Sequence, residues 1–332
     1  MTTQMRIRAA RFLTLGMLLL FLIGGVLYWQ AVGADLSNPR ANFWRVVRQG
    51  VPAYTSTPSQ GHTILIVNSG ENWRELRNGL IVRFSPWVFA VVLVIMGLLY
   101  LFAGREKLKK PPSGVMIKRY SLAERILHWY TAVVFITMGL TGLSLLWGRA
   151  ALIPIFGHPF VAGYLGATKL LHNYLGPLLL AGIFLEFVVW VRDGIPHKYD
   201  LAWFKNMGGL LGGEPPHIGM INGGEKAWFW LVFLFGIAVG VTGTLLDFQI
   251  WGQTRFTMEV SHVIHAIVAT LFVAASLGHI YMGTVGVEGA FGAMWTGYVD
   301  AVWAEQNHDL WYEEIREQGK IPEAASPKTS KT

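Results

Sequence analysis

The chain has 332 residues, 53% of them hydrophobic and only 14% charged, with a formal net charge of +7. Soluble domains run near a quarter charged, so this balance points to lipid, where excess basic groups collect in inner-side loops rather than on a nucleic-acid surface. Cysteine is absent, which excludes thiolate-bound iron–sulfur clusters, covalent haem attachment and disulfides.

The first element in chain order is an apolar run from Phe12 to about Trp29, preceded by Arg6, Arg8 and Arg11. At ~18 residues it is longer than a signal-peptide core, so residues 1–34 read as a retained transmembrane helix. Val32-Gly33-Ala34 resembles a cleavage site and keeps a signal peptide as the alternative. Residues 35–84 read as a small extracytoplasmic segment. His62-Thr63-Ile64-Leu65-Ile66-Val67 alternates like a short strand, and Ser69-Gly70 and Asn78-Gly79 are turn signals.

A second apolar run covers Pro86 to Ala103 and opens the segment 85–116. It ends in a basic stretch holding Arg105, Lys107, Lys109, Lys110, Lys118 and Arg119, broken by Pro111-Pro112. By the positive-inside rule this linker is expected in the cytoplasm. Four more spans follow within 117–287, at about 126–147, 169–191, 226–246 and 260–285, each long enough to cross a hydrocarbon core about 30 Å thick. The loop 192–225 and the tail 288–332 then fall on the cytoplasmic side. The expected class is an all-α integral membrane protein: a four-helix bundle plus one or two extra N-terminal spans.

Ionisable side chains inside a membrane are costly and mark function by default. The last span, Ser261 to Met282, contains His265 and His279, 14 residues apart. At ~100° and 1.5 Å per residue they share nearly one helix face, about 21 Å apart along the axis. His128, in ERILHWY, lies just inside the cytoplasmic start of its span, and His172, in KLLHNYLG, just inside the outer start of the next. Matching depths pair His128 with His279 near the inner surface and His172 with His265 near the outer one.

Zinc takes four close ligands, whereas each depth here offers two imidazoles and neither cysteine nor a nearby carboxylate. Haem iron, already held by four porphyrin nitrogens, needs two axial groups. The pattern therefore predicts a di-haem cytochrome b bundle with two non-covalent haem b groups. Gly139, Gly142, Gly176 and Gly243 would let a flat macrocycle approach the backbone, or serve ordinary helix packing. His262 is rotated off the shared face and reads as interfacial. His62, His158, His197, His217 and His308 fall in loops or tails, where a solvated histidine is expected. Asp247 and Glu186 are the nearest approach to midplane charge; Glu186 could line a proton path, but reads more simply as a packed or interfacial carboxylate. A haem-free transporter would show broken helices and internal repeats, and no clear repeat is seen.

The stretch from about Ile117 to the tail resembles the membrane cytochrome b (gamma) subunit of respiratory formate dehydrogenases. The resemblance rests on ERILHWY, KLLHNYLG, MINGGEKAWFW, IHAIVATLFVAASLGHIYM and DLWYEE in that order, and covers roughly two thirds of the chain. The N-terminal third departs from the short form of that subunit and looks like the longer proteobacterial form. Cytochrome b subunits of nickel–iron hydrogenases share the di-haem bundle but match NGGEKAWFW and the tail less well.

The resemblance implies a bacterial inner-membrane complex in which a molybdenum or tungsten catalytic (alpha) subunit oxidises formate and an iron–sulfur (beta) subunit relays electrons. This chain would anchor both and pass electrons to menaquinone or ubiquinone, with no nucleic acid involved. It also implies a quinone pocket at Asn222, Gly224 and His279. Read from the residues alone, NGGEK is a flexible lead-in to a span, with Lys226 at the interface.

Overall fold

A computed structural model describes residues 48–50, 72–206, 208 and 217–321. The expected first span, the strand at 62–67 and the end of the tail lie outside the described residues. Chain order among the rest is α1 (Asn72–Phe102), β1 (Met116–Lys118), α2 (Leu122–Ala151), α3 (Ile153–Phe156), α4 (His158–Trp190), α5 (Lys198–Lys205), α6 (Gly223–Asp247), α7 (Arg255–Tyr281), α8 (Ala290–Trp295), β2 (Tyr298–Asp300), α9 (Ala301–Asn307) and α10 (Asp309–Glu317). A π-helical segment, Met282–Gly286, continues α7.

Five helices, α1, α2, α4, α6 and α7, are long and apolar enough to cross a membrane. Only 11% to 28% of their most apolar stretches is buried, so residues such as Val91, Leu140, Val188 and Leu234 face outward. That surface suits lipid and would be untenable in water. This is a multi-pass membrane protein. Helix α1 begins at Asn72, well ahead of the expected start at Pro86, so residues 72–84 are helical. Asn78-Gly79, a turn signal in sequence, is absorbed by a π-helical stretch, Glu75–Ile81, whose wider turn tolerates the glycine.

Contacts divide the chain into two compact units that share the long helices. Of the described residues, the first holds 48–50, 72–97, 137–177 and 237–274. In it α1 packs on α2: Phe89 meets Trp147 edge-on at 5.5 Å, Trp147 Nε1 donates to Ser85 Oγ at 3.0 Å, and Arg77 Nη2 donates to the Leu145 carbonyl at 3.2 Å. His262 lies 5.5 Å from the Trp73 ring.

Of the described residues, the second unit holds 98–136, 178–206, 208, 217–236 and 275–321. Here α4 and α6 interlock through Phe187 stacked on Phe233 at 3.9 Å, and through Ile183 against Gly236. The tail, expected as a polar extension, folds from residue 288 to 317 around a core of its own. Strand β1 pairs antiparallel with β2, Ile117 opposite Val299, and those two side chains are buried while their neighbours are not, as strand alternation requires. Tyr120, Trp303, Ala304, Trp311 and Ile315 complete this core. Gly297 sits at φ 90°, and a Cβ there would lie 2.7 Å from the Tyr120 carbonyl, so only glycine suits the turn that joins the layer to α2. Asp300 caps α9 at Val302 N and also receives Ser113 N and Gly114 N, which pins the basic linker.

Charges in this unit are buried in partnership. The Arg119 guanidinium donates to the Met220 carbonyl and to Glu225, and lies 5.0 Å over the Trp303 ring. Lys226 Nζ contacts Asp200 Oδ2 at 2.8 Å with both side chains buried, and His197 Nδ1 at 3.1 Å. His308, expected in solvent, is only 1% exposed and hydrogen-bonds the Gly219 carbonyl through Nδ1. The sequence misled because DLWYEE reads as a polar tail, whereas α10 turns Trp311 and Ile315 inward and encloses the preceding histidine.

Two outcomes follow. Lys226→Met strands the Asp200 carboxylate and is expected to cost about 3–5 kcal/mol, seen as a lowered melting temperature in detergent. Burial and the nearby Arg119 hold His308 down to about 4, against about 6.5 in an unfolded chain. Between those values only the unfolded state binds the proton, so the tail layer should lose stability as pH falls from 6.5 to 4. Limited proteolysis across that range should show the loss, and His308→Gln should remove the pH dependence.

Candidate paired-histidine sites

In the first unit, α4 presents His172 and α7 presents His265, with ring centroids 6.2 Å apart and planes at 76°. In the second unit, α2 presents His128 and α7 presents His279, with centroids 6.3 Å apart and planes at 55°. The four histidines expected to act in pairs thus meet in those pairs. An imidazole nitrogen binds a metal at about 2 Å, so two rings on opposite sides of one ion bring their centroids to roughly 6 Å. Both pairs match that spacing. Among the described residues no group of three or more His, Asp or Glu is arranged to hold an ion, which leaves two-coordinate sites of the kind a porphyrin completes.

The first pair is oriented by two threonines. Thr141 Oγ1 donates to the Thr137 carbonyl at 2.8 Å, so its one proton is engaged and it faces His172 Nδ1, 2.8 Å away, as an acceptor. Thr242 Oγ1 is placed likewise, 2.6 Å from the Ala238 carbonyl and 3.1 Å from His265 Nδ1. Each imidazole then carries its proton on Nδ1 and leaves the Nε2 lone pair for a metal. The glycines beside them clear the rings. A Cβ on Gly142 would lie 3.3 Å from His172 Cε1, and one on Gly243 would lie 3.2 Å from His265 Cε1. These two glycines therefore make room for the imidazoles themselves. Gly139 faces Val273 and Gly176 faces Met138, as ordinary packing.

In the second pair Trp228 stacks on the His279 ring at 4.7 Å and 10°, and Trp129 meets His128 edge-on at 5.3 Å. His128 Nδ1 is buried with no hydrogen-bond partner, so this ring is held by packing alone.

Asn222 and Gly224, implied in a quinone pocket, form the N-terminus of α6. Asn222 Oδ1 accepts from Glu225 N at 2.8 Å while Glu225 Oε2 accepts from Asn222 N at 2.7 Å, a reciprocal cap. A Cβ on Gly224 would lie 2.6 Å from the Trp203 ring, so this glycine seats the indole of α5. Glu225 is near enough to His279 to act on it electrostatically, which puts the loop beside the second pair.

Sequence reasoning missed Thr141, Thr242 and Trp228. A signal existed for the threonines: Gly139-Leu-Thr-Gly142 and Gly240-Val-Thr-Gly243 repeat one pattern on α2 and α6, each offering a hydroxyl and a bare position to an incoming ring. Trp228 lay within NGGEKAWFW, whose aromatics gave no indication which of them met the histidine.

A bundle of apolar helices with imidazole pairs at this spacing defines a haem-binding membrane protein, and comparison with known proteins agrees. The prokaryotic cytochrome b561 profile matches residues 119–297, and the chain belongs to that family, whose cofactor is haem b. It is 30% identical over 207 residues to the nitrate-inducible formate dehydrogenase cytochrome b556(Fdn) subunit of Escherichia coli K12, covering 60% of this chain and 92% of that one. The same figures hold for its counterpart in Shigella flexneri. Identity to the cytochrome b556(fdo) subunit of E. coli K12 is 29% over 205 residues, covering 60% and 93%.

Replacing Thr141 by valine keeps side-chain shape but removes the acceptor for His172 Nδ1–H, and should weaken haem retention about 10–100-fold, the usual effect of losing such a supporting hydrogen bond. Thr242→Val should cost less, because the Val239 backbone also hydrogen-bonds His265. Haem-to-protein ratio during stepwise washing in detergent measures it; the Val variants should stay folded and lose haem first.

Proposed function

We propose that this chain is the membrane anchor and electron-transfer subunit of a formate dehydrogenase complex, with His128 and His279 as axial ligands of one haem b and His172 and His265 of a second. The observation that carries the reading is the paired imidazole spacing, 6.3 and 6.2 Å. Formate as the ultimate donor is favoured over hydrogen because the relatives named above are formate dehydrogenase subunits.

Haem supplies reversible one-electron chemistry, and the surrounding protein tunes it through ligands, burial and hydrogen bonds. The work of this chain's own residues is positional. Thr141 and Thr242 fix the tautomer of the outer pair, and Trp228 holds His279 flat in the inner one. The basic linker 105–119 keeps the inner end in the cytoplasm of a bacterium's inner membrane. The outer end then meets an iron–sulfur subunit and, through it, a molybdenum or tungsten subunit that oxidises formate. A menaquinone or ubiquinone would be reduced beside His279. There Gly224 seats the Trp203 indole at the edge of the pocket, and the Asn222 amide group can hydrogen-bond a quinone carbonyl. Because its Oδ1 caps α6, the amide nitrogen is the group available to donate.

The reading is tested by counting haem in purified membranes. The wild type should bind two haems per chain with a b-type reduced spectrum. His172→Ala and His128→Ala should each leave one, with different residual spectra. Two haems retained in either variant would refute the ligand assignment, and co-purification without a formate-oxidising partner would refute the donor.

A further inference from the structure

Glu186 is an acidic residue within a transmembrane helix, and the function above does not use it. It lies on α4, one turn beyond Gly182 and one turn before Trp190. A Cβ on Gly182 would fall 2.7 Å from Thr131 Oγ1, so the glycine lets α4 close on α2. One turn on, the Glu186 carboxyl hydrogen-bonds to Thr131, which itself stands one turn after His128. The Thr131 hydroxyl also lies 3.1 Å from the Leu127 carbonyl. It can therefore donate to an ionised carboxylate, or donate to Leu127 and accept from the protonated acid, and so serves either state of Glu186.

The same contact line runs on to the helix ends. Trp190 Nε1 donates to Glu124 Oε1 at 3.3 Å, and Asp193, held above the usual carboxylate range by burial and then by Glu124, follows one turn later. Asp193 and Glu124 thus lie at the Trp190 end of the α2–α4 seam, and Glu186 with Thr131 lies one turn further along it. The other polar groups on α2 facing this stretch are His128 and Tyr130, whose hydroxyl donates to the Leu178 carbonyl at 2.9 Å. From α6 the neighbours of Phe187 and Ile183 are Phe229, Trp230, Phe233 and Gly236, none of them titratable at ordinary pH, while Lys226 of α6 and Glu314 of α10 act on Asp193 at the helix end. Among the described residues no basic side chain forms an ion pair with Glu186.

We propose that Glu186 is the proton-coupled partner of the inner haem: its carboxylate takes up a proton when that haem is reduced. The inference rests on the assignment of His128 and His279 as ligands. The balance is one electron from the donor side, converting ferric to ferrous iron, and one cytoplasmic proton, converting Glu186 from carboxylate to acid. Net charge in the apolar interior is then unchanged, which removes the cost of adding an unpaired charge there. Oxidation by quinone returns the proton.

The test is a spectroelectrochemical titration of the full-length haem-loaded chain at several pH values, on wild type, Glu186→Gln and Glu186→Asp. In the wild type the inner-haem equilibrium should move toward the oxidised form by up to tenfold per pH unit, about 59 mV. Glu186→Gln, which keeps the Thr131 contact, should bind two haems and lose the dependence, and Glu186→Asp should restore part of it. Redox-difference infrared spectra should show a carboxylic-acid carbonyl band appearing on reduction in the wild type and absent in Glu186→Gln. A pH-independent inner haem in the wild type, or an unchanged slope in Glu186→Gln, overturns the proposal while two bound haems leave the ligand assignment standing. Two haems retained in His128→Ala would instead remove its foundation.

Discussion

An imidazole carried into hydrocarbon must be held in one orientation to meet its counterpart, and that requirement organises each site. One nitrogen of each ring in the first unit is taken by a threonine hydroxyl whose own proton is committed to the helix backbone. The other is left facing its counterpart at the distance a shared metal demands. Such a hydroxyl costs the helix little, because it bonds back to its own preceding turn. The adjacent glycines are part of the same device, since any side chain there would push the ring out of line.

The second unit solves the problem differently. Trp228 lies flat on His279 and Trp129 stands against His128, so ring planes are set by aromatic surface. Around them is a folded layer with its own core, in which Arg119, Glu225, Lys226, Asp200 and His308 are tied to one another and to backbone carbonyls. Buried ionic groups of this kind contribute little net stability but are costly to break. The layer therefore fixes where α6 begins, and with it the position of Trp228 and of the Asn222 cap.

Glu186 extends the same logic from position to charge. Reduction of a haem at the second pair would leave a neighbouring buried carboxylate without a compensating charge unless a proton arrives, and Glu186, bonded to Thr131 one turn from His128, is placed to receive it. Because Thr131 can hydrogen-bond either protonation state, the geometry need not rearrange as the charge changes.

Much of this was legible in the sequence. Length and hydropathy determined the spans, because a hydrocarbon slab of fixed thickness permits few alternatives. The 14-residue interval between His265 and His279, with His128 and His172 near opposite span ends, determined which imidazoles should meet, since helical rise and rotation are nearly invariant. What only the tertiary structure decided was how neighbouring helices are rotated about their axes and where short polar segments fold back. It set Gly142 and Gly243 against the imidazole rings, singled out Trp228 among several aromatics, and buried His308 in what read as a solvated tail. Each outcome depends on contacts between residues far apart in the chain, and local periodicity carries no information about those.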